Sequence, residues 1–131
     1  MNPKDLLYAE THEWTRVTLE GGRKVATIGI TAFAIEQLTD LVHMVLPKVG
    51  AKVTAGQPFG EVESVKAVSD LYSPVDGEVI AIHNDLVGKL ETLGSDPYNT
   101  GWMIKVALSD ESSLKKLMDA ASYEKQCAAE G

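Results

Sequence analysis

A short unit that occurs twice in the middle of the chain constrains the fold more than any other feature of the sequence. The first copy reads Pro47-x-Val49-Gly50-x-x-Val53, and 27 positions later the second copy reads Pro74-Val75-x-Gly77-x-Val79. Each copy has the order proline, turn, strand, and self-similarity at a fixed spacing is a signal of repeated structural units. Two such units that face each other would place the residues between them at an exposed connection.

The residues between the two copies predict a hairpin with a lysine at its tip. The stretch from Glu61 to Asp70 is rich in β-branched side chains, which favour strand on both sides of Lys66. No Asn-Gly or Asp-Gly pair marks a turn there, so the hairpin is inferred from the symmetry of its flanks and not from turn chemistry. Considered alone, Lys66 would be an ordinary solvated lysine that blunts a strand edge.

Length and composition limit the class of protein. The chain has 131 residues, of which 44% are hydrophobic. This suits one domain, because a chain of this size buries about 70% of its unfolded surface. The net charge is −7 and no basic stripe is present, so nucleic acid and anionic membranes are poor partners. An acidic surface either steers the chain towards basic rims on partner proteins or serves solubility alone, and composition does not separate the two.

Cysteine usage and the lack of targeting signals bear on the compartment. The single cysteine, Cys127, cannot form an internal disulfide, and no signal-peptide pattern opens the chain. No apolar run approaches the roughly 20 residues that a membrane helix needs. We therefore expect a reducing, cytoplasmic location, or an organelle matrix if a transit peptide has been removed.

The remaining patterns predict short antiparallel strands with three small helices. Strands are predicted over residues 12–19, 24–30, 42–46 and 102–108, and helices near 32–40, 85–92 and 112–121. Thr31, Asn84, and either Ser109 or Asp110 are the candidate caps of these helices. Residues 124–131 either extend the last helix or fray. Short connections imply antiparallel pairing, hence a mainly β sandwich or flattened barrel (a barrel-sandwich hybrid) with peripheral helices, formed by residues 1–131 as one domain.

Motifs of catalysis and metal binding are missing from the sequence. His12, His43 and His83 are too scattered for a metal site by spacing, and no cysteine joins them. The glycines of residues 56–60 lack the lysine and the serine or threonine of a phosphate loop, and no nucleophile elbow or dinucleotide fingerprint occurs. We therefore expect a carrier whose cofactor supplies the chemistry, and not an enzyme.

The lysine stretch resembles the lipoyl-attachment region of the glycine cleavage system H-protein family. Glu63 precedes Lys66 by three residues and Gly77 follows it by eleven. The resemblance runs from about Tyr8 to Tyr123 through an ordered set of segments: His12-Glu13-Trp14, residues 26–31, Leu46-Pro47, residues 95–98, Gly101-Trp102 and Ser109-Asp110. Biotin carriers have a lysine motif of the form Ala-Met-Lys-Met instead. Lipoyl domains of oxoacid dehydrogenases are shorter and lack the His-Glu-Trp start.

The resemblance implies a function and its partners. Lys66 would carry lipoic acid in amide linkage, attached by a lipoate ligase or octanoyltransferase that recognises Glu63 and Gly77. The lipoyl arm would shuttle an aminomethyl group and electrons in glycine catabolism and one-carbon metabolism. The three enzymes served would be a pyridoxal-phosphate glycine decarboxylase, a tetrahydrofolate-dependent aminomethyltransferase and a flavin lipoamide dehydrogenase. Thr11, Glu13 and Asp70 correspond to the positions at which the family docks the loaded arm.

Some expectations and alternatives accompany this resemblance. Gly77 is expected to serve a backbone turn that a Cβ would strain. We expect Glu63→Ala and Gly77→Val to slow lipoylation while leaving the fold largely intact. Glu13 and Asp70 have a simpler interpretation as ordinary surface carboxylates. The family's usual Asp is replaced by Ala32, and residues 85–94 lack its usual proline and final asparagine, which puts the rigidity of that loop and its cover of the arm in question. A lipoate relay protein and an unmodified β module that binds a peptide or sugar are the alternative functions.

Overall fold

A computed structural model describes residues 3–130, and within them the chain forms nine strands and four α-helices. The strands are β1 (Leu7–Tyr8), β2 (Glu13–Glu20), β3 (Arg23–Ile30), β4 (Leu41–Val45), β5 (Lys52–Val53), β6 (Pro58–Ser64), β7 (Val68–Tyr72), β8 (Asp76–Ile82) and β9 (Ile104–Asp110). The helices are α1 (Ala32–Leu38), α2 (Asn84–Val87), α3 (Leu90–Ser95) and α4 (Ala120–Glu130), with 3-10 turns at Pro3–Asp5 and Ser112–Lys116.

The strands form two antiparallel sheets. The larger sheet has six strands in the order β1-β2-β3-β9-β8-β5, and the smaller has three in the order β4-β6-β7. Apolar side chains from both sheets meet in one core, exemplified by Ile28 and Val106 from the large sheet and Val62 and Leu71 from the small one, all of them buried. The predicted mainly β, two-sheet architecture with short helices is confirmed.

The two copies of the repeated unit are partners in the large sheet. Their strands are β5 and β8, which pair antiparallel with Lys52 opposite Glu78 and Val53 opposite Gly77. The backbone of Val79 extends this pairing, since its carbonyl accepts from Gly50 N–H at 2.8 Å and its N–H donates to Ala51 O at 2.8 Å. The inference that the two units face each other is therefore correct, and β6 and β7 project between them as one hairpin.

The first hairpin and the first helix follow their sequence signals. Gly21 and Gly22, with φ of 61° and 82°, make the two-residue turn between β2 and β3, a conformation that glycine adopts without strain. Thr31 caps α1 as predicted, because its hydroxyl accepts from Ala34 N–H at 3.3 Å. The helix ends at Leu38, two residues before the predicted end.

The other two helix predictions need correction. The predicted helix over 85–92 is two short helices, α2 and α3, interrupted at Gly88 and Lys89. Asn84 is the first residue of α2 and not its cap; the cap position is His83, whose side chain makes no capping bond. Glycine is a weak helix former, and one in the middle of so short a segment favours the interruption.

The last helix lies further along the chain than the sequence predicts. Residues 112–116 form a 3-10 turn, at whose start Asp110 accepts from Ser112 N–H at 2.8 Å. Met118 then pairs with Tyr8 through two backbone hydrogen bonds of 2.7 and 2.8 Å, so the helix begins only at Ala120. Residues 120–130 are helical, so the tail does not fray as far as residue 130, and Tyr123 of this helix is buried and stacks on Tyr8 with ring centroids 4.5 Å apart.

Candidate functional site: a lysine hairpin and the cleft beside it

The hairpin of β6 and β7 carries Lys66 at its tip. The strands pair in register, with Glu63 opposite Val68, and residues 65–67 connect them. Ser64 closes the connection, because its backbone N–H donates to Ala67 O at 2.8 Å and its hydroxyl accepts from Ala67 N–H at 3.2 Å. Serine side chains that bond to nearby backbone stabilise turns. Ser64 therefore marks the turn in this sequence, where an Asn-Gly pair is missing.

The tip is held from the side and leaves its lysine exposed. Val65 N–H donates to Asp40 O at 3.0 Å, which ties the connection to the segment before β4. The side chain of Lys66 is exposed, and no salt bridge to it is found within residues 3–130. Since Lys66 lies in the connection and not on a strand, the edge-blunting interpretation does not describe it.

A cleft of about 300 Å³ lies beside this hairpin. Its walls come from the residues before β2, from α1 and from the two strands of the hairpin. Most of its lining is apolar, and its polar lining includes all three predicted docking residues, Thr11, Glu13 and Asp70. Asp70 follows Thr11 and Glu13 by nearly 60 positions in the sequence, and the fold brings all three to one cavity.

Glu13 is a buried carboxylate with its oxygens facing donors. It is 1% exposed; one carboxylate oxygen accepts from the Thr11 hydroxyl, and the other accepts from Tyr72 N–H at 3.2 Å. Burial raises the pKa of the Glu13 carboxyl to about 7 in spite of these two donors, which both lower it. The interpretation of Glu13 as an ordinary surface carboxylate is therefore wrong, whereas Asp70 is exposed at the rim.

The comparison with known proteins decides the family. A family model described as glycine cleavage H-protein matches residues 6–130 of the chain. The chain belongs to the glycine cleavage H-protein family.

Individual relatives agree over nearly the whole length. The chain is 58% identical to the glycine cleavage system H protein of Rhodopirellula baltica over 130 residues, covering 99% of this chain and 98% of that one. It is 52% identical to the H protein of Marinobacter nauticus over 128 residues, covering 98% and 96%. The crystal structure of a glycine cleavage system H protein from Mycobacterium marinum superposes with a TM-score of 0.84 at 36% identity, covering 97% of this chain and 99% of that one.

Membership of the H-protein family fixes the broad role. The chain is a carrier of the glycine cleavage system and not one of its enzymes. This agrees with the missing catalytic motifs in the sequence. Within the described residues, no helix is long and apolar enough to cross a membrane.

The two residues expected to guide lipoylation lie in different places. Glu63 is exposed on β6, three residues before Lys66. Gly77 lies on β8 in the other sheet, in a strand and not a turn, and a Cβ there would stand 2.2 Å from Ala107 O and 2.6 Å from Val106 Cγ1. The glycine is required because β9 approaches closely, so the expectation that Gly77→Val leaves the fold intact is wrong.

The three histidines have separate environments. His43 is exposed on β4, and His83 stacks on Trp102 with ring centroids 4.6 Å apart. His12 borders the cleft, where Nδ1 lies 2.6 Å from Tyr123 Oη and Nε2 lies 3.1 Å from Glu130 Oε1. Sequence reasoning gave neither His12 nor Glu130 a place at the cleft, nor Tyr123 its contact with His12, because the start of α4 was not predicted where it lies.

Proposed function

We propose that Lys66 carries lipoic acid in amide linkage and that the chain passes an aminomethyl group and electrons between three enzymes of glycine cleavage. These are the pyridoxal-phosphate glycine decarboxylase, the tetrahydrofolate-dependent aminomethyltransferase and lipoamide dehydrogenase. When bound, the dithiolane of lipoate supplies the sulfur chemistry, since it takes up the aminomethyl group and two electrons. The observation that carries the proposal is an exposed lysine on a braced hairpin tip beside a cleft with a buried carboxylate.

The distance from Lys66 to the cleft suits an arm of this length. Asp70 follows Lys66 by four residues, of which the first lies in the connection and the rest in β7, so the two are at most about 13 Å apart at roughly 3.3 Å per residue. A lysine side chain extended by an eight-carbon acyl group contains about a dozen bonds and reaches about 15 Å. The arm can therefore fold back along its own hairpin and place its end in the cleft.

The size and lining of the cleft suit the same group. Its volume of about 300 Å³ is at the lower end of the range for small-molecule pockets, roughly 300–1,000 Å³. Ile30, Phe33, Leu38 and Leu71 give it apolar walls for a hydrocarbon chain. Thr11, Glu13 and Asp70 supply the polar groups that a cationic amine requires.

Glu13 is suited to hold a positive charge that arrives with the arm. With a pKa of about 7, the empty site exchanges a proton near neutral pH. A neighbouring ammonium favours the carboxylate form, so Glu13 loses its proton and pairs with the amine when the arm docks. Such a pair gains roughly 1 kcal/mol if the site stays partly wet and more if it is dry. Docking should therefore strengthen as the pH rises through 7.

The attachment site is tested by mass. After co-expression with a lipoate ligase or octanoyltransferase, the intact mass should rise by one lipoyl or octanoyl group, and peptide mapping should place that group on Lys66. Lys66→Arg should abolish the modification, because arginine stays protonated and forms no amide. Lys52→Arg, an exposed lysine on β5, is the matched control and should be modified normally. Modification at Lys89 or Lys105, or an unmodified chain, would contradict the assignment.

Docking is tested by the lifetime of the cargo. The lipoylated chain loaded with the aminomethyl group should lose ammonia to buffer several-fold more slowly at pH 8 than its Glu13→Gln variant, and the difference should shrink at pH 5.5, where Glu13 is protonated in the empty site. Both forms should still be reduced by lipoamide dehydrogenase, since that step uses the undocked arm. Equal lifetimes at pH 8 would show that the cleft does not hold the amine.

The same measurement separates the alternative carrier. A lipoate relay protein would use Lys66 but would have no cationic cargo to protect. A carboxylate buried at 1% exposure in the cleft is costly unless it has a charge to meet, and this favours the aminomethyl carrier.

A further inference from the structure

The turn that carries the docking residues is built around an unusual backbone conformation. Ala9 N–H donates to Glu13 O at 2.9 Å and His12 N–H donates to Ala9 O at 3.0 Å, which closes residues 9–13 into a compact turn. His12 lies in the left-handed region with φ of 77°. A non-glycine residue is disfavoured there relative to right-handed backbone, because its Cβ crowds the neighbouring carbonyl. Other contacts must therefore stabilise the turn.

Helix α4 provides these contacts from one side. Gln126 donates one amide hydrogen to Glu10 O at 2.8 Å and the other to Glu130 Oε2 at 2.7 Å. The other oxygen of Glu130 lies 3.1 Å from His12 Nε2, and Tyr123 Oη lies 2.6 Å from His12 Nδ1. Both ring nitrogens of His12 are thus occupied by α4, and the turn is bound to the helix at two residues.

The Tyr123 hydroxyl also connects this contact to α1. It lies 2.6 Å from the hydroxyl of Thr31, which is fully buried and accepts from Ala34 N–H. One direction of donation satisfies the whole chain: Thr31 donates to Tyr123, Tyr123 donates to His12 Nδ1, and His12 Nε2–H donates to Glu130. The ring of His12 also stacks on Phe33 of α1, with centroids 4.9 Å apart. His12, Phe33 and Glu130 all line the cleft.

We propose that His12 is a positioning residue for Glu13 and that α4 holds it in place, so that the C-terminal helix is a working part of the docking cleft. His12 lines the cleft. Because it lies between Thr11 and Glu13 in the chain, its contacts with α4 also fix the turn that carries these two residues. Its place in the cleft lining, directly before Glu13, is what separates it from a histidine that only fixes the helix. This role rests on the proposed docking function, whereas the contacts of His12 that position Glu13 do not depend on it.

Two variants separate the ring of His12 from the backbone it stands on. His12→Asn keeps a residue that tolerates the left-handed conformation but is too short to reach Tyr123 and Glu130. Tyr123→Phe keeps the ring that stacks on Tyr8 and removes only the hydroxyl. Glu124→Gln is the matched control, since Glu124 is exposed on the same helix and does not line the cleft.

The first readout uses the unmodified chain and needs no arm. The pKa of the Glu13 carboxyl is measured from its ¹³C chemical shift in a pH titration. We expect His12→Asn to weaken proton binding at Glu13 about tenfold or more, since a loosened turn admits water, with Tyr123→Phe in between and Glu124→Gln like the parent. A merely structural histidine would lower the melting temperature and leave this pKa in place, and that result would overturn the proposal.

The second readout is the lifetime of the amine on the loaded, lipoylated chain at pH 8. His12→Asn should shorten it about fivefold, the factor for a docking contact worth roughly 1 kcal/mol, while lipoylation at Lys66 is unchanged. If Glu13→Gln shortens the lifetime and His12→Asn does not, the positioning role fails and the docking function stands. If neither variant shortens it but His12→Asn still shifts the Glu13 pKa, the docking function fails and His12 remains the residue that positions Glu13.

Discussion

Replacing the buried carboxylate by its amide should change how stability depends on pH. Glu13 is 1% exposed, and burial raises its pKa from the ordinary value of 4.5 to about 7. Because the folded-state pKa is above the unfolded one, the protonated form is favoured by folding. The stability that this proton provides is complete below pH 4.5 and is lost as the pH rises to 7. Glu13→Gln keeps the shape of the side chain and removes the titration.

The magnitude follows from the two pKa values. A raise from 4.5 to about 7 corresponds to roughly 3 kcal/mol between the fully protonated and fully ionised limits. Between pH 5 and pH 8 the part that is lost amounts to about 2.5 kcal/mol by the same linkage relation. The free energy of unfolding of Glu13→Gln, minus that of the parent, should therefore increase by about this amount over that interval.

The measurement is urea denaturation of the unmodified parent and variant at pH 5, 6, 7 and 8. Other titrating groups contribute equally to both proteins and cancel in the difference. Glu124→Gln, an exposed glutamate of α4, should give a flat difference over the same range. A flat difference for Glu13→Gln would mean that Glu13 is not desolvated in solution, and the argument that the cleft is prepared for a cation would fail with it.

Two further substitutions, Gly77→Ala and Thr31→Val, test the frame of the site, with Glu63→Ala as a control. Gly77→Ala should destabilise the fold by about 1–3 kcal/mol and lower the midpoint of thermal unfolding, because its Cβ would meet the Ala107 carbonyl of β9 at 2.2 Å. Glu63→Ala should leave that midpoint within a degree or two of the parent. Equal midpoints for the two variants would contradict the close approach of β9. Thr31→Val should cost about 1–2 kcal/mol in urea denaturation, since it removes the cap of α1 and a partner of the Tyr123 hydroxyl, and an unchanged midpoint would remove Thr31 from the network.

Sequence signals located the lysine hairpin because its two flanks are copies of each other. The copies pair as β5 and β8 in the large sheet, and the stretch between them has no other place than an exposed hairpin. The cap of α1 could also be predicted, because a threonine directly before a helical apolar pattern accepts a hydrogen bond from the first turn of the helix. These predictions succeeded because each relies on contacts between residues close in sequence or on an explicit internal symmetry.

Burial at the start of β2, which contributes Glu13 to the cleft, could not be predicted in the same way. Glu13, Trp14 and Thr15 are all buried at the start of β2, so alternation of buried and exposed residues fails there. Both faces of the strand are covered: Trp14 packs with Tyr8 and Tyr123, and Glu13 faces the cleft. Periodicity assumes one solvent face, and only the tertiary fold covers the second.

The sequence left residues 124–131 open between helix and frayed tail, and it did not locate the start of α4, for a related reason. Of its eleven residues only Tyr123 is buried, so no apolar stripe marks the helix. Its place is decided by distant contacts, such as the bonds of Gln126 to Glu10 and of Tyr123 to Thr31. The apolar stripe of Leu114, Leu117 and Met118, which suggested a helix over 112–121, instead serves a 3-10 turn and the bridge to Tyr8.

The two departures from the family pattern also gain an explanation from the fold. At the position where the resemblance leads us to expect Asp, Ala32 donates its backbone N–H to Tyr98 Oη at 3.1 Å, so this amide at the start of α1 is satisfied without a carboxylate. The segment that lacks the usual proline and asparagine forms α2 and α3, which bury Leu86 and Leu93 in the main core.

This placement changes what the altered segment can do to the arm. No residue of α2 or α3 lines the cleft; α3 contacts α1, and α1 contributes Phe33, Ala34 and Leu38 to the cleft wall. The segment therefore does not cover the arm directly, and any looseness in it would reach the cleft only by shifting α1. Two buried leucines hold the segment in the core in the absence of the proline. Under the proposed docking function, protection of the cargo would therefore depend on the turn at residues 9–13 and on α4.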